Sequence, residues 1–106
     1  MKQLEAYKRA LKVMEGAVVV RDNFGFKYWK YNGVEFAGLC SLLQVVPTVV
    51  NCSSYQFVQD SKKVLDKVDL PRFGLWFTNM DDDEPKARAE RIEHLEKLIK
   101  LYEDEH

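Results

Sequence analysis

The strongest constraint on the fold is an extended stretch near the N-terminus that contains a hairpin turn. Ala17 to Arg21 reads "AVVVR", and three consecutive β-branched residues favour a strand. "DNFG" offers a turn, and a second strand follows from Phe24 to Tyr31. Asn32–Gly33 then closes that strand, and this dipeptide is the strongest short hairpin signal because both residues tolerate positive φ angles. The sequence therefore predicts a β-hairpin within residues 17–33.

Amphipathic helices flank this stretch on both sides. Lys2 to Glu15 carries apolar residues at helical spacing, namely Leu4, Tyr7, Leu11 and Met14, and Gly16 is placed to end the helix. The clearest helix of the chain runs from Pro85 to about Tyr102. Its apolar stripe is formed by Ile92, Leu95, Leu98, Ile99 and Tyr102.

Two further helices are predicted between the hairpin and the last helix. The segment "EFAGLCSLLQVV" keeps Phe36, Leu39, Leu42 or Leu43, and Val46 on one face, and Pro47 ends it. Ser53 and Gln56 form a capping box that opens the next helix. The predicted fold class is α+β: a small, mainly helical single domain of about four helices, with a short β-hairpin inserted after the first helix.

Length and charge restrict the classes of function. A chain of 106 residues is near the commonest size of one domain. A net charge of −1 argues against strong nonspecific binding to nucleic acid, which requires many phosphate contacts. Charge is nevertheless unevenly distributed, because residues 1–31 are basic and residues 78–106 are acidic. Two cysteines, no apparent signal peptide and no membrane-length apolar run predict a soluble protein of an intracellular, reducing compartment, without membrane contact.

The titratable residues lack the spacing of a catalytic or metal site. Asp81, Asp82, Asp83 and Glu84 precede Pro85, where carboxylates cap a helix N-terminus, and they lack EF-hand spacing. His94 is predicted on the polar side of the last helix, and His106 is terminal. Cys40, inside an apolar run, is predicted to be a buried structural thiol. We therefore predict no enzyme activity, no metal and no cofactor.

The stretch "FGFKYWKYNG" is the best candidate for a working surface. Strand alternation places Phe24, Phe26, Tyr28 and Lys30 on one face and Lys27, Trp29 and Tyr31 on the other. Aromatic residues therefore occupy both faces. Three interpretations remain open: aromatics packed on both sides, a partner-binding face, or a surface that stacks a base and neutralises a phosphate. The predicted binding residues are Lys27, Tyr28, Trp29, Lys30, Tyr31 and Trp76.

A second aromatic group lies at Phe73 to Phe77, "FGLWF", between two predicted helices. Alternation places Phe73, Leu75 and Phe77 together, with Trp76 opposite them. We interpret the group as core, and Trp76 as the residue best placed to reach a surface groove.

Three short motifs in order resemble a group of small accessory proteins of tailed bacteriophages. They are "GLCSLL" at 38–43, "LWF" at 75–77 and "RIEHLEKLI" at 91–99, within about residues 34–102. The stretch 17–33 departs from that pattern as an insertion, and "TNMDDD" stands where the pattern has a proline. The resemblance implies a viral protein of the host bacterial cytoplasm, from a class rich in host-takeover and counter-defence factors, with no catalytic role to carry over.

The leading functional hypothesis is a non-enzymatic phage protein that binds and inhibits or redirects a host factor through the hairpin. A first alternative is a sponge that sequesters a nucleotide signalling molecule. A second alternative is a structural or assembly protein that self-associates as a homo-oligomer through the stripe of its last helix.

Overall fold

The computed structural model describes residues 2–45, 54–65 and 76–104, and these hold four helices and three strands. The elements are α1 (Lys2–Gly16), β1 (Val18–Arg21), β2 (Lys27–Tyr31), β3 (Val34–Phe36), α2 (Leu39–Val45), α3 (Ser54–Leu65) and α4 (Glu84–Asp104). The predicted α+β class, with about four helices and a β element after the first, is confirmed. None of the helices in these residues is both long enough and apolar enough to cross a membrane.

The β element is a three-stranded antiparallel sheet in the order β1-β2-β3, so it extends beyond the predicted hairpin. Asn32 and Gly33 have φ angles of 50° and 82°, and they join Tyr31 to its partner Val34 in a two-residue turn. Positive φ at both positions is the geometry that the Asn–Gly pair favours. The dipeptide therefore does not end the sheet but leads directly into a third strand.

Phe36 belongs to β3, so its predicted place on the next helix was wrong. It pairs with Trp29 across the sheet, and the two rings stack with centroids 5.9 Å apart. Helix α2 begins only after Gly38. The N–H of Gly38 donates to the Ser41 hydroxyl, and the same hydroxyl donates to the carbonyl of Gly38. The predicted burial of Phe36, Leu39, Leu42 and Leu43 is confirmed.

The core lies between α1 and α4, with α2, α3 and the inner face of the sheet packed around it. Helix α1 buries one face of small and large residues: Ala6, Tyr7, Ala10, Val13 and Met14. Helix α4 buries Leu95, Leu98 and Tyr102 and half-buries Ile92 and Ile99. The stripe proposed for self-association is thus used inside this chain, and it is not an open apolar face.

Of the acidic residues that were predicted to cap α4, Asp83 does so. The Asp83 carboxylate accepts the N–H of Lys86 at 3.1 Å, and its carbonyl accepts the N–H of Ala87 at 2.8 Å. Asp81 accepts the backbone N–H of Lys27 at 3.1 Å and so ties this segment to the start of β2. Asp83 therefore caps α4, whereas Asp81 links the segment before α4 to the sheet.

Some sequence predictions fall outside what the structure describes. These are the ends of the second and third helices at Pro47 and Ser53, the group from Phe73 to Leu75, Cys52 and the terminal His106. The side chain of Cys40 is also outside the part of the chain that the structure describes.

Candidate functional site

Trp29 is a core residue, so its predicted role on the binding surface was wrong. Its side chain is fully buried, and it stacks on Phe36 on the inner face of the sheet. The Arg91 guanidinium lies 5.1 Å from the centroid of the Trp29 ring and 5.3 Å from that of Phe77. The reason is tertiary: Arg91, a residue of α4 that is distant in sequence, covers the ring on the face to which alternation assigns Trp29.

Two other predicted residues, Lys27 and Tyr31, lie on the same face as Trp29 at the edges of the core. Both are half-buried. The Tyr31 ring packs against Gly16, where an added Cβ would lie 3.3 Å from the ring. Tyr31 therefore supports the junction between α1 and the sheet and presents only part of its ring to solvent.

The opposite face of the sheet, here called the outer face, keeps two predicted residues at the surface. Lys30 is exposed and pairs with Val18, and half-buried Tyr28 pairs with Val20. Glu35 lies beside Lys30 in the register of β2 and β3. Desolvation, together with the charge of Glu35, raises the pKa of the Tyr28 hydroxyl above its usual value.

The loop between β1 and β2 carries two exposed phenylalanines at the end of the outer face. Phe24 is 87% exposed and Phe26 is 62% exposed. We call residues 22–26 the aromatic tip. The sequence placed both residues in the second strand, on the face of Tyr28 and Lys30, but β2 begins only at Lys27 and both residues lie in the turn. Neither was among the predicted binding residues. The signal that identifies them is their position in a turn, where side chains are commonly exposed.

Hydrogen bonds to Asp22 hold the aromatic tip in one conformation. The Asp22 carboxylate accepts the backbone N–H of Phe24 at 2.8 Å and that of Phe26 at 3.0 Å. The Asp22 carbonyl accepts the N–H of Gly25, which has a φ of 87°. The Arg21 guanidinium donates to the carbonyl of Gly25 at 3.1 Å. The two phenyl rings are therefore presented from an ordered backbone.

A pocket with a volume of about 140 Å³ opens beside Trp76, as predicted for that residue. It lies between the end of α3, the segment at residues 76–77 and one face of α4. Three aromatic side chains form one part of its wall: Trp76, Phe77 and His94. The rest of the wall is formed by Leu65 and by three charged side chains: Glu90, Glu93 and Lys97.

His94 is buried, so its predicted place on the polar side of α4 was wrong. Its Nε2 lies 2.8 Å from the hydroxyl of Ser61 on α3, and its ring contacts Phe57 and Phe77. Burial, with a smaller effect from Lys97, lowers the pKa of His94 to about 4, so the ring is neutral at pH 7. Ser61 is fully buried as well. This enclosed pair joins α3 to α4 and has no room for a substrate at the serine.

A buried carboxylate joins three helices in a second polar cluster. Asp60 Oδ2 accepts the hydroxyls of Tyr7 at 2.8 Å and Tyr102 at 2.7 Å, and Oδ1 accepts the Gln56 amide at 2.8 Å. Buried charges of this kind are stable only when such donors surround them. The cluster is a structural link between α1, α3 and α4, and sequence periodicity alone did not identify it.

In the part of the chain that the structure describes, no group of three His, Cys, Asp or Glu side chains is arranged to hold a metal ion. Comparison of the chain with protein-family models, curated proteins and solved structures finds no match. The resemblance to bacteriophage accessory proteins therefore stays a prediction.

Proposed function

We propose that this chain is a non-enzymatic binding protein that attaches to a partner protein through the aromatic tip and the outer face of its sheet. The observation that carries the proposal is the exposure of Phe24 and Phe26 on a loop that is ordered by hydrogen bonds to Asp22. Tyr28 and Lys30 continue the same surface along β2.

The energetic argument rests on the two phenyl rings. Burying a phenylalanine side chain that was exposed to water contributes about 2 kcal/mol, and aromatic residues dominate many protein interfaces. Because the Asp22 hydrogen bonds already order the loop, binding loses less conformational entropy than it would with a mobile loop. The tip therefore has the composition and the order of a binding anchor.

The charges near the tip indicate the chemistry of the partner. Arg21 and Lys27 are opposite each other in the register of β1 and β2, at the base of the loop. Lys30 is exposed on the outer face. The carboxylates of Asp22, Glu35 and Asp81 lie among these cations, and that of Asp81 accepts the backbone N–H of Lys27. The charges around the tip therefore balance, so we expect an apolar groove on the partner without a strong charge requirement.

The bacteriophage resemblance suggests that the partner is a host protein of a bacterium. A bound tip would then inhibit or redirect that protein, as a takeover or counter-defence factor does. This part of the proposal rests on the motifs at 38–43, 75–77 and 91–99, and on the position of the sheet in the stretch that departs from the family pattern.

The experiment is affinity purification from bacterial lysate, followed by reconstitution of the purified pair. The test variant is Phe24→Ser with Phe26→Ser. The matched control is Tyr55→Ser, because Tyr55 is a 71% exposed aromatic residue on α3, away from the tip. Calorimetry of the purified pair should give 1:1 binding that weakens at least roughly tenfold in the test variant and stays unchanged in the control.

Two results would overturn the proposal. One is a partner that binds the double variant as tightly as the original chain. The other is equal loss of binding with Tyr55→Ser, which would place the interface on α3. Circular dichroism and thermal unfolding of each variant confirm that any loss is not due to unfolding.

The nucleotide sponge is a separate proposal with its own test. It is supported by aromatic side chains beside Lys30 on the outer face. It predicts a Tm that rises with the concentration of a mono-, di- or cyclic nucleotide. If no nucleotide of that panel changes the Tm, and the chain still binds a protein through the aromatic tip, the protein-binding proposal is favoured over the nucleotide sponge.

A further inference from the structure

The pocket beside Trp76 has the size of a single ring. Its volume is about 140 Å³. An engineered protein cavity of about 150 Å³ binds one benzene molecule, so this pocket has room for one six-membered ring. Because the pocket is open to solvent on one side, a larger ligand can extend out of it. A single ring is therefore the smallest ligand that fills it.

The charges around the pocket select among single rings. Lys97 Nζ lies 3.3 Å from Glu93 Oε1, so these two charges largely cancel. The third group, Glu90, accepts the backbone N–H of Thr78 at 2.6 Å and the Thr78 hydroxyl at 2.8 Å. These hydrogen bonds lower the pKa of Glu90, which keeps it ionised. The side chains that line the pocket therefore carry a net charge of −1, while Lys86 and Arg91 act on Glu90 from outside the lining. The Glu90 carboxylate at the lining favours a cation over phosphate or carboxylate groups.

The inner wall of the pocket offers an unused polar atom. His94 is 1% exposed, and its Nε2 is engaged with Ser61. Its Nδ1 is buried and has no hydrogen-bond partner among the described residues. When the ring proton is on Nε2 and is donated to Ser61, Nδ1 is an acceptor. This nitrogen is closed to solvent, so an N–H donor of a ligand reaches it only if the wall of the pocket opens.

We propose that this pocket binds a planar, single-ring cation, stacked on Trp76, with its charge facing Glu90. Aromatic faces attract such cations, and the adjacent carboxylate adds to that attraction. An aryl amidine is a suitable probe because it is flat, positively charged and rich in N–H donors. The site is independent of the aromatic tip and of the partner protein proposed for it.

The experiment compares three probes of one shape and different charge: benzamidine, benzamide and benzoate. Each is titrated into the ¹⁵N-labelled full chain, and the two tryptophan indole N–H signals are followed by NMR. The signals are assigned with Trp76→Phe. We expect the Trp76 signal to move and the Trp29 signal to stay, with benzamidine binding roughly tenfold more tightly than benzamide and benzoate producing no shift.

A matched variant tests the role of the charge. Glu90→Gln keeps the shape of the side chain and an oxygen that can accept from Thr78. We expect it to bring the affinities for benzamidine and benzamide to within about threefold of each other. Trp76→Leu should weaken both ligands while Phe24→Ser with Phe26→Ser changes neither.

Three outcomes would overturn the proposal. The first is equal binding of benzoate and benzamidine by the original chain. The second is a benzamidine shift that is confined to the amides of the aromatic tip. The third is an unchanged preference for the cation in Glu90→Gln, provided that thermal unfolding shows this variant to be folded.

Discussion

The Arg91 guanidinium of α4 lies between two aromatic rings, 5.1 Å from the centroid of Trp29 and 5.3 Å from that of Phe77. The side chain is buried and donates to the carbonyls of Thr78 and Ala87. Burial lowers the pKa of Arg91, and the charge of Glu90 partly offsets that effect. A delocalised, weakly hydrated cation suits such a site better than an ammonium group does.

A first prediction concerns this stacked cation. Arg91→Lys should destabilise the fold by about 2–3 kcal/mol, because a compact, strongly hydrated ammonium stacks poorly and remains buried. Arg91→Met keeps the apolar length without a charge and should cost less than Arg91→Lys. Urea unfolding of the two variants at pH 7 measures the difference. Greater stability of the lysine variant would contradict this account.

A second prediction concerns Trp29. Trp29→Ala should destabilise the fold by about 3–5 kcal/mol, since it leaves a large cavity beneath β2 and removes the ring on which Arg91 stacks. Tyr55→Ala, at an exposed aromatic residue, should change stability by less than about 0.5 kcal/mol. Thermal unfolding by circular dichroism distinguishes the two. A Trp29 variant as stable as the original chain would place this ring outside the core.

A third prediction is a pH dependence that originates at His94. Its folded pKa is about 4, below its ordinary value of 6.5. Between these values the unfolded chain binds more protons, so stability falls as pH decreases through this window. The shift corresponds to a loss of about 3 kcal/mol from pH 7 to pH 4.

The control for this pH effect is His94→Gln, which cannot take up that proton. The free energy of unfolding of both chains is measured by urea titration across the same pH range. The difference between them should shrink as pH falls from 6.5 to 4. The lowered pKa of Glu90 also reduces stability at low pH, but it acts in both chains and cancels in the comparison. A constant difference would show that His94 titrates normally.

A fourth prediction concerns the buried carboxylate of Asp60. Asp60→Ala should cost about 3 kcal/mol or more, because the hydroxyls of Tyr7 and Tyr102 lose this shared acceptor inside the core. Asp60→Asn retains an oxygen for both tyrosines and should cost clearly less. Equal destabilisation in urea would mean that the charge itself, and not the accepted hydrogen bonds, holds the helices together.

A fifth prediction concerns the order of the aromatic tip. Asp22→Ala removes the acceptor of two backbone N–H groups, so amide hydrogen exchange at Phe24 and Phe26 should accelerate. Gly25→Ala leaves those bonds in place but strains a residue with a φ of 87°, at a cost of about 1 kcal/mol. Both variants should weaken partner binding while α1 and α4 keep their exchange protection. Unchanged exchange in Asp22→Ala would show that the loop is ordered by other contacts.

Local patterns predicted much of the fold correctly because local physics determines it. The spacing of Tyr7 and Met14 identified the buried face of α1, and Asn32–Gly33 identified a two-residue turn from the φ angles that those residues tolerate. Of the acidic residues before Pro85, Asp83 was correctly interpreted as a helix cap. The third strand was missed because Val34–Phe36 is only three residues long, too short to show a period.

The candidate site was less predictable, since its residues depend on which elements cover which surfaces. Lys30 was predicted at the surface and lies there, whereas Tyr28 is half-buried and packs against the core. Trp76 was predicted beside a groove and lines a pocket. Trp29 and His94 were misplaced. Each becomes buried through a partner that is distant in sequence, Arg91 for Trp29 and Ser61 for His94, and no local pattern reveals such a pairing.

By itself, the sequence determined where helices and turns form, because hydrogen bonds and apolar spacing within a few residues decide both. It also determined that β2 has aromatic residues on its two faces. Only the tertiary structure decided that Trp29 is buried beneath Arg91 of α4 while Phe24 and Phe26 stay in solvent. Alternation separates two faces but cannot choose between them when both are aromatic, since that choice depends on how the helices pack against the sheet.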